Sequence, residues 1–319
     1  MKKVTFNKAF EMFIQSLIRY KAKSTTISTY IYLYECHLQD FFGVKNIEEI
    51  TNKDIDRFVD LKAGLNGNYI NLMLSIFNAV IKFVRSEDIA NVNSFLQAKQ
   101  IREQVKKVEI FTEFEKSRIE SYCISRIEPV NIAILLSLST GIRLGELCAL
   151  QKEDFDFNNN AFKITKTMIR VKNLDKNAKT KTKIVIVTPK SKASIRTLPV
   201  PAYLVDFIKE LFENAPFEAY ITTGKRRFIT PRTIENQFTK VLNHCKINYK
   251  KFHTLRHTFA TYALKSCMDI KTLSEILGHS SVKTTLDRYV QSDFSTKKAQ
   301  MDILSNQFFE NHNLSKMAL

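Results

Sequence analysis

Residues 251–290 hold the feature that most restricts how this chain folds, a set of closely spaced ionisable side chains within a helical pattern of apolar residues. His253, Arg256 and His257 stand at positions i, i+3 and i+4, so they share one face of an α-helix. A helix that only built a core would carry fewer polar groups on one face. The pattern therefore predicts a helix whose polar face takes part in binding or chemistry.

The second half of this stretch predicts two further helices separated by a tight turn. Gly278 stands where a left-handed residue would end a helix, so His279 would project from a sharp helix end. Ser280 or Ser281 can cap the next helix, which would carry Tyr289 about two turns later. We therefore expect histidine, arginine and tyrosine side chains to meet within a small group of short helices.

Two histidines four residues apart on a helix can also bind zinc, as they do in the H-E-x-x-H motif. Here Thr254 follows His253 where that motif has glutamate, and the central Arg256 would repel a cation. Glycine is sparse, at 7 of 319 residues, and the sequence contains no Gly-rich phosphate-binding loop. We therefore expect no metal site here and no cofactor for the protein.

The pattern H-x-x-R-H, followed by L-G-H and by a tyrosine ten residues later, resembles the second conserved box of the tyrosine recombinase/integrase family. The segment TGIRLGELCAL at residues 140–150 resembles the first box of the same family. The resemblance implies that the catalytic residues of the two boxes are Arg143, His253, Arg256, His279 and Tyr289.

The chemistry of a phosphodiester suggests a role for each residue. Attack on phosphorus builds negative charge on the phosphate oxygens, and Arg143 and Arg256 can each present a charged planar fork to them. A phenol with pKa ~10 is a poor nucleophile at neutral pH, so Tyr289 needs a base, and we expect that base to be His253. His279 is expected to hydrogen-bond the phosphate.

Two neighbouring side chains are assigned supporting roles. His257 is interpreted as a residue that packs or that makes a supporting hydrogen bond. Arg143 stands between two apolar helices, where an arginine is costly unless it meets an anion. Either Glu146, three residues later, or a bound phosphate can provide that anion.

Residues 154–200 change to alternating and β-branched runs, which predict a small antiparallel sheet with long hairpins. Eleven Lys and Arg residues but only one acid, Asp175, lie between positions 163 and 196, which favours a polyanion as neighbour. The family resemblance implies that a lysine ahead of the R-T-x-P strand protonates the departing 5′ oxygen. We assign this role to Lys190, with Lys192 as the competing choice.

The composition agrees with a protein that binds nucleic acid. The chain has 49 Lys and Arg residues against 32 Asp and Glu, a net charge of +17, and a pI near 9.6. We expect no membrane span, because no apolar run approaches ~20 residues, and no signal peptide. Five scattered cysteines indicate reduced, buried thiols in a cytoplasmic protein.

The predicted fold class is mainly α with a small antiparallel β-sheet (α+β). Residues 1–97 read as helices only and resemble the SAM-like core-DNA-binding domain of the family, and residues 98–110 read as a polar, basic linker. Residues 111–292 are expected to form the catalytic domain. Residues 293–319 form a C-terminal helix and tail, which either packs on its own domain or contacts another protomer.

The resemblance implies a site-specific DNA recombinase that works through a 3′-phosphotyrosine link and integrates, excises or resolves DNA. Its expected partners are double-stranded DNA with an inverted-repeat site, three further copies in a homo-tetramer on two DNA sites, and an accessory DNA-bending or directionality protein. The expected location is the cytoplasm, in association with the nucleoid. Two alternatives stay open: a nicking-closing enzyme like a type IB topoisomerase, and a catalytically silent DNA-binding regulator.

Overall fold

The computed structural model describes residues 3–101, 108–173, 180–189 and 191–289, and residues 298, 301–302 and 304–306 of the C-terminal segment. The chain divides into two compact units. The first unit comprises Met1–Lys106 and Arg170–Lys183, and the second comprises Lys107–Ile169 and Ile184–Leu319.

The first unit is built mainly of helices. They are α1 (Phe6–Arg19), α2 (Ser24–Leu33) with a π-helical continuation (Tyr34–Leu38), α3 (Gln39–Phe42), α4 (Asn52–Leu61) and α5 (Gly67–Ser86). Thr51 and Asp54 form the capping box that begins α4. The π-helical turn carries Tyr34 into the core, where its ring stacks on Phe10 with centroids 3.8 Å apart.

Within the described part of the chain, one helix, α5, is long and apolar enough to cross a membrane by length and composition alone. Asn71, Asn78 and Lys82 interrupt this helix, so it is not the uninterrupted apolar run of ~20 residues that a membrane span would need. Nine of its residues are buried in the core of the first unit. Asn71 exchanges two hydrogen bonds with the backbone of Ile101, at 2.9 and 2.7 Å, and Asn78 does the same with Ala98. These are the contacts of a core helix.

The same contacts define the start of the predicted linker. Ala98 is buried, and the segment 98–101 is hydrogen-bonded along α5. Residues 102–107, in the middle of the predicted linker, lie outside the described residues.

The second unit contains eight helices within its described residues. They are α6 (Glu113–Ser125), α7 (Pro129–Thr140), α8 (Leu144–Ala149), α9 (Val205–Phe212), α10 (Pro231–His244), α11 (His253–Lys265), α12 (Ile270–Leu277) and α13 (Val282–Tyr289). A three-stranded antiparallel sheet joins β1 (Phe155–Asp156), β2 (Ala161–Ile164) and β5 (Arg196–Pro199) in the order β1-β2-β5, with Phe162 opposite Leu198. The prediction of a mainly helical protein with small antiparallel sheets is confirmed.

Helix α7 lies at the centre of the second unit. Its sequence is apolar on every side, which is the pattern of a helix surrounded by other elements, and nine of its twelve residues are buried. Pro129 starts the helix at its first turn, and Gly141 ends it in the left-handed conformation. Helices α6, α8, α9, α10 and α11 all contact α7. This packing fixes Gly141, and the loop that follows it, beside α11.

The remaining two strands, β3 (Thr167–Lys172) and β4 (Thr182–Val187), pair with each other. Residues 170–183 belong to the first unit by their contacts, although they lie inside the predicted catalytic domain along the chain. The backbone N–H of Lys172 donates to Ser28 Oγ at 3.0 Å, and its ammonium group lies 2.6 Å from the Glu35 carboxylate. Residues 174–179, between the strands, are outside the described part.

The cysteines differ in exposure. Cys123, Cys148 and Cys245 are buried, but Cys36 and Cys267 are exposed, so the prediction that every cysteine is buried is wrong.

In the C-terminal segment the residues that the structure describes are helical and exposed, with Met301 at 65% and Leu304 at 46%. The rest of the predicted C-terminal helix lies outside the described residues.

Candidate functional site

Two left-handed glycines shape the backbone of the candidate site. Gly141 ends α7 with φ +64°, and Gly278 ends α12 with φ +63°. A Cβ atom on Gly141 would lie 2.7 Å from the Phe259 ring and 2.9 Å from Leu277. The close approach of these elements therefore requires glycine at position 141, and it brings the loop after α7 next to α11 and the end of α12.

Arg256 ties these turns together from inside the protein. Its side chain is 2% exposed. Nη1 donates to the carbonyl of Gly141 at 2.7 Å, and Nη2 donates to the carbonyl of Leu277 at 2.7 Å. Burial, and then repulsion from Arg143, lower the pKa of Arg256 to about 9, so it remains charged at neutral pH. A buried cation whose direct partners are uncharged carbonyls favours a nearby anion.

Arg143 lies at the start of α8 and contacts Glu146, which the sequence analysis gave as one of its two possible partners. Nη1 donates to Glu146 Oε1 at 2.7 Å, and Nη2 donates to the carbonyl of Gly278 at 2.8 Å. Its side chain is still 33% exposed. Glu146 therefore pairs with Arg143, while the exposed part of the guanidinium can bind a phosphate.

Arg196 is a site residue that sequence reasoning missed as such. It donates to both oxygens of Glu146, at 3.0 and 3.3 Å, and its Nε donates to the carbonyl of Ile276 at 2.5 Å. Burial alone would raise the pKa of Glu146, but the hydrogen bonds and charges of Arg196 and Arg143 outweigh burial and lower it. Two guanidinium groups thus share one carboxylate, and the nearby Arg256 adds a third positive charge, so positive charge is in excess at the site.

His279 projects from the turn after Gly278, as predicted. Its Nε2 lies 2.9 Å from Nη2 of Arg256, and its Nδ1 lies 2.8 Å from Oγ1 of Thr285. Because arginine only donates, Nε2 accepts this hydrogen bond, and the ring is the neutral tautomer with its proton on Nδ1. Burial, followed by the charges of Arg256 and Arg143, lowers the pKa of His279 to about 4, which agrees with a neutral ring.

The nucleophile predicted from the sequence, Tyr289, contacts His257. The Tyr289 hydroxyl lies 2.8 Å from Nδ1 of His257, and the two ring centroids are 5.6 Å apart. Burial raises the pKa of Tyr289, while the charge of Arg256 opposes this rise. His257 was interpreted as a packing or supporting residue, and its hydrogen bond goes directly to the phenol. Its signal in the sequence is the helical spacing that puts it on the same face as His253.

His253, the predicted base, lies at the edge of this group. Its side chain is exposed, and its ring meets the His257 ring edge-on with centroids 4.7 Å apart. Partial desolvation, followed by the charges of His257 and Arg256, lowers its pKa below the ordinary value. The structure thus places His253 beside His257, and it is His257 that contacts the phenol.

The acid was predicted to be Lys190 or Lys192, which both precede β5 in the sequence. Lys190 lies outside the described residues, and the side chain of its competitor Lys192 does too. The backbone of Lys192 begins a short 3₁₀ turn, Lys192–Ser194, just before Arg196 on β5. The choice between the two lysines stays a prediction.

The described residues contain no group of three or more His, Cys, Asp or Glu side chains arranged to hold a metal ion. What they bring together is a pair of guanidinium forks at Arg143 and Arg256, neutral imidazoles at His257 and His279, and one phenol. Such a set can bind a phosphodiester, supply an oxygen nucleophile and accept its proton.

Comparison with known proteins identifies a matching family and a related sequence. The sequence profile of the phage integrase family matches residues 94–296. A XerC-like tyrosine recombinase of Caldanaerobacter subterraneus subsp. tengcongensis is 25% identical over 333 residues, covering 96% of this chain and 84% of the relative.

Two solved structures share the fold. The Tn1549 transposon integrase in complex with transposon right end DNA has a TM-score of 0.74 and 19% identity, covering 95% of this chain and 100% of that chain. A lambda integrase tetramer bound to a Holliday junction has a TM-score of 0.63 and 16% identity, covering 92% of this chain and 80% of that one.

Proposed function

The chain belongs to the phage integrase family, and from that premise we propose how its own residues break and rejoin DNA. The protein is a tyrosine-type site-specific recombinase, an enzyme that cleaves and rejoins DNA strands. The observation that carries the residue assignments is that Arg256 lies next to both His279 and Tyr289. Arg143 joins this group by donating to the carbonyl of Gly278, the residue before His279.

Arg256 and Arg143 bind the scissile phosphate. Arg256 is held in place by two backbone carbonyls, so its position is fixed before DNA arrives. Arg143 is held by Glu146 on one side and is partly exposed on the other, where it can reach a second phosphate oxygen. Together they stabilise the negative charge that grows on phosphorus-bound oxygens during attack.

His279 changes its partner when the phosphate binds. In this structure its Nε2 accepts from Arg256, so it has no proton to offer at that atom. A phosphate beside the ring favours the imidazolium form. The protonated Nε2 then donates to a phosphate oxygen, and Thr285 keeps the ring oriented through Nδ1.

The reaction exchanges one phosphoester bond for another. The Tyr289 oxygen forms a bond to phosphorus, and the bond between phosphorus and the 5′ oxygen breaks. Lys190, or Lys192 in its place, protonates the departing 5′ oxygen. The product is a 3′-phosphotyrosine link and a free 5′ hydroxyl, and attack by a second 5′ hydroxyl rejoins the strands and restores the phenol.

The proposed partners follow from this chemistry and from the related structures. The substrate is double-stranded DNA with an inverted-repeat site. We propose a homo-tetramer on two DNA sites, supported by the fold shared with the lambda integrase, which was seen as a tetramer on a Holliday junction. An accessory DNA-bending or directionality protein would choose the outcome, and the enzyme would act in the cytoplasm on nucleoid DNA.

The domain roles are part of the same proposal. In it, residues 1–97 bind the DNA core, and residues 98–110 connect the two domains. Residues 111–292 carry out catalysis, and residues 293–319 contact another protomer. The exposed side chains of Met301 and Leu304 supply an apolar surface for that contact.

The proposal is tested on a duplex that the protein protects from nuclease. A nicked, end-labelled form of that duplex lets the cleaved end diffuse away and so traps a covalent adduct. The proposed function predicts an adduct and strand exchange between two duplexes. Relaxation of supercoiled DNA without exchange would instead indicate the topoisomerase-like activity, and binding without an adduct would indicate the silent regulator.

A further inference from the structure

The contact between His257 and Tyr289 has no role in the mechanism above. On the basis of that proposed function, we propose that His257, rather than His253, accepts the proton of the Tyr289 hydroxyl during attack and returns it when the strands are rejoined. His257 is then a catalytic residue, because it touches the reacting oxygen.

The geometry supports a direct proton transfer. The distance of 2.8 Å between Nδ1 of His257 and the phenol oxygen lies within the range that a general base needs. His257 follows Arg256 on α11, and Arg256 is anchored to Gly141 and Leu277. The anchoring fixes the helix turn that presents Nδ1.

The charges around His257 determine the protonation state of its ring. Arg256 is its neighbour on α11, and Arg288 and Tyr289 face it from α13, while His253 lies against its ring edge. Burial, followed by the positive charges of Arg288 and Arg256, lowers the pKa of His257 to about 4. The ring is therefore neutral at pH 7, and its Nδ1 lone pair is available to the phenol.

The proton transfer balances in both directions. In cleavage the O–H bond of Tyr289 breaks and an N–H bond forms at Nδ1 of His257, while the new O–P bond forms and the bond to the 5′ oxygen breaks. The negative phosphate between the arginines offsets their charge and so stabilises the imidazolium. In rejoining, the phenolate leaves phosphorus and takes the proton back.

The test compares two substitutions at one position. Asparagine can place its side-chain oxygen near the position of Nδ1 and accept the phenol hydrogen bond, but it does not take up a proton. His257→Asn and His257→Ala are therefore both expected to slow single-turnover cleavage by roughly 10²–10⁴-fold. His253→Asn is expected to slow cleavage less than either His257 variant does. His244→Asn, which changes an exposed histidine on α10, is the control and is expected to leave the cleavage rate unchanged.

A modified substrate distinguishes a defect in activating the nucleophile from a defect in protonating the leaving group. A duplex with sulfur in place of the bridging 5′ oxygen has a leaving group that needs no acid. The defect of the His257 variants should persist on this duplex, because they are impaired at the nucleophile. Their cleavage rate should also rise about tenfold per pH unit, as free hydroxide replaces the missing base.

Two results would overturn the assignment. One is near wild-type cleavage by His257→Asn with loss in His257→Ala, which would make His257 an orienting group only, and the other is a larger loss in His253→Asn. An NMR measurement on the wild-type protein does not depend on whether the variants fold. Nitrogen chemical shifts of labelled His257 should show the proton on Nε2, and a proton on Nδ1 would contradict the proposal.

The outcome for the wild-type protein separates this inference from the proposed function. If the wild-type protein forms no adduct on the nicked duplex, the proposed function itself fails. If the wild-type protein forms the adduct and the His257 variants match its rate, only the role of His257 fails.

Discussion

Arg196 and Glu146 form a buried two-point ion pair, with Nη2 3.0 Å from Oε2 and Nη1 3.3 Å from Oε1. Their side chains are 7% and 2% exposed. Glu146 also orients Arg143, and Arg196 also binds the backbone at Ile276, close to His279. One carboxylate therefore sets the relative positions of a phosphate-binding arginine and the histidine turn.

Replacing Glu146 by glutamine should weaken both the fold and catalysis. Glu146→Gln keeps the shape but removes the charge that two arginines share, and breaking a buried pair costs about 3–5 kcal/mol. We expect a drop of that size in the free energy of unfolding, measured with denaturant, and a cleavage rate at least tenfold lower. The matched control is Glu218→Gln, whose partner Arg226 is exposed. Equal effects of the two substitutions would contradict the assigned role.

Gly278→Ala tests the turn that carries His279. Its φ of +63° strains any side chain, and a Cβ atom would lie 2.8 Å from Nη1 of Arg196. We expect a loss of about 1–3 kcal/mol in unfolding free energy and loss of cleavage. Gly64→Ala is the control, because no atom lies within 4 Å of its Cβ position. Full cleavage activity in Gly278→Ala would show that the turn is not needed.

Removing either phosphate-binding arginine should separate cleavage from DNA affinity. Arg143→Ala and Arg256→Ala should lower single-turnover cleavage by roughly 10²–10³-fold, the size seen when a preorganised donor is lost. DNA affinity, measured by mobility shift, should stay within about tenfold, because many other basic residues contribute to it. The exposed Arg226→Ala serves as control. A parallel loss of affinity and cleavage would count against this division of roles.

The half-buried histidines predict how stability depends on pH. His257 and His279 have folded-state pKa values of about 4, below the ordinary 6.5. The folded protein thus binds fewer protons than the unfolded chain, so this stabilisation is present above pH 6.5 and is lost as pH falls toward 4. By pH 5 each ring should contribute a loss of about 1 kcal/mol, after solvent screening.

Unfolding curves at pH 7, 6, 5 and 4.5 measure this dependence. His257→Asn and His279→Asn should each flatten it, because asparagine does not titrate. A wild-type unfolding free energy that stays constant between pH 7 and 4.5 would contradict the neutral form assigned to both rings.

Local features of the site were predictable because they depend on neighbouring residues. The left-handed Gly278 that ends α12 is such a local signal, and the structure confirms it. The helical spacing of His253 and His257 likewise predicted one shared face.

Long-range pairs were not predictable in the same way. Glu146 and Arg196 are fifty residues apart, and His257 and Tyr289 are thirty-two apart. Only the packing of α11 against α7 and α13 decides which of the two histidines meets the phenol. Spacing along one helix cannot supply that information, so the sequence favoured His253 on the family pattern.

The most direct test of the account identifies the residue that becomes bonded to DNA. The adduct trapped on the nicked duplex is digested with protease and nuclease, and the peptide that carries a nucleotide is sequenced by mass spectrometry. We predict that the nucleotide is joined through its 3′ phosphate to Tyr289, and that Tyr289→Phe forms no adduct. A nucleotide on any other residue, or an adduct that survives Tyr289→Phe, would contradict the account.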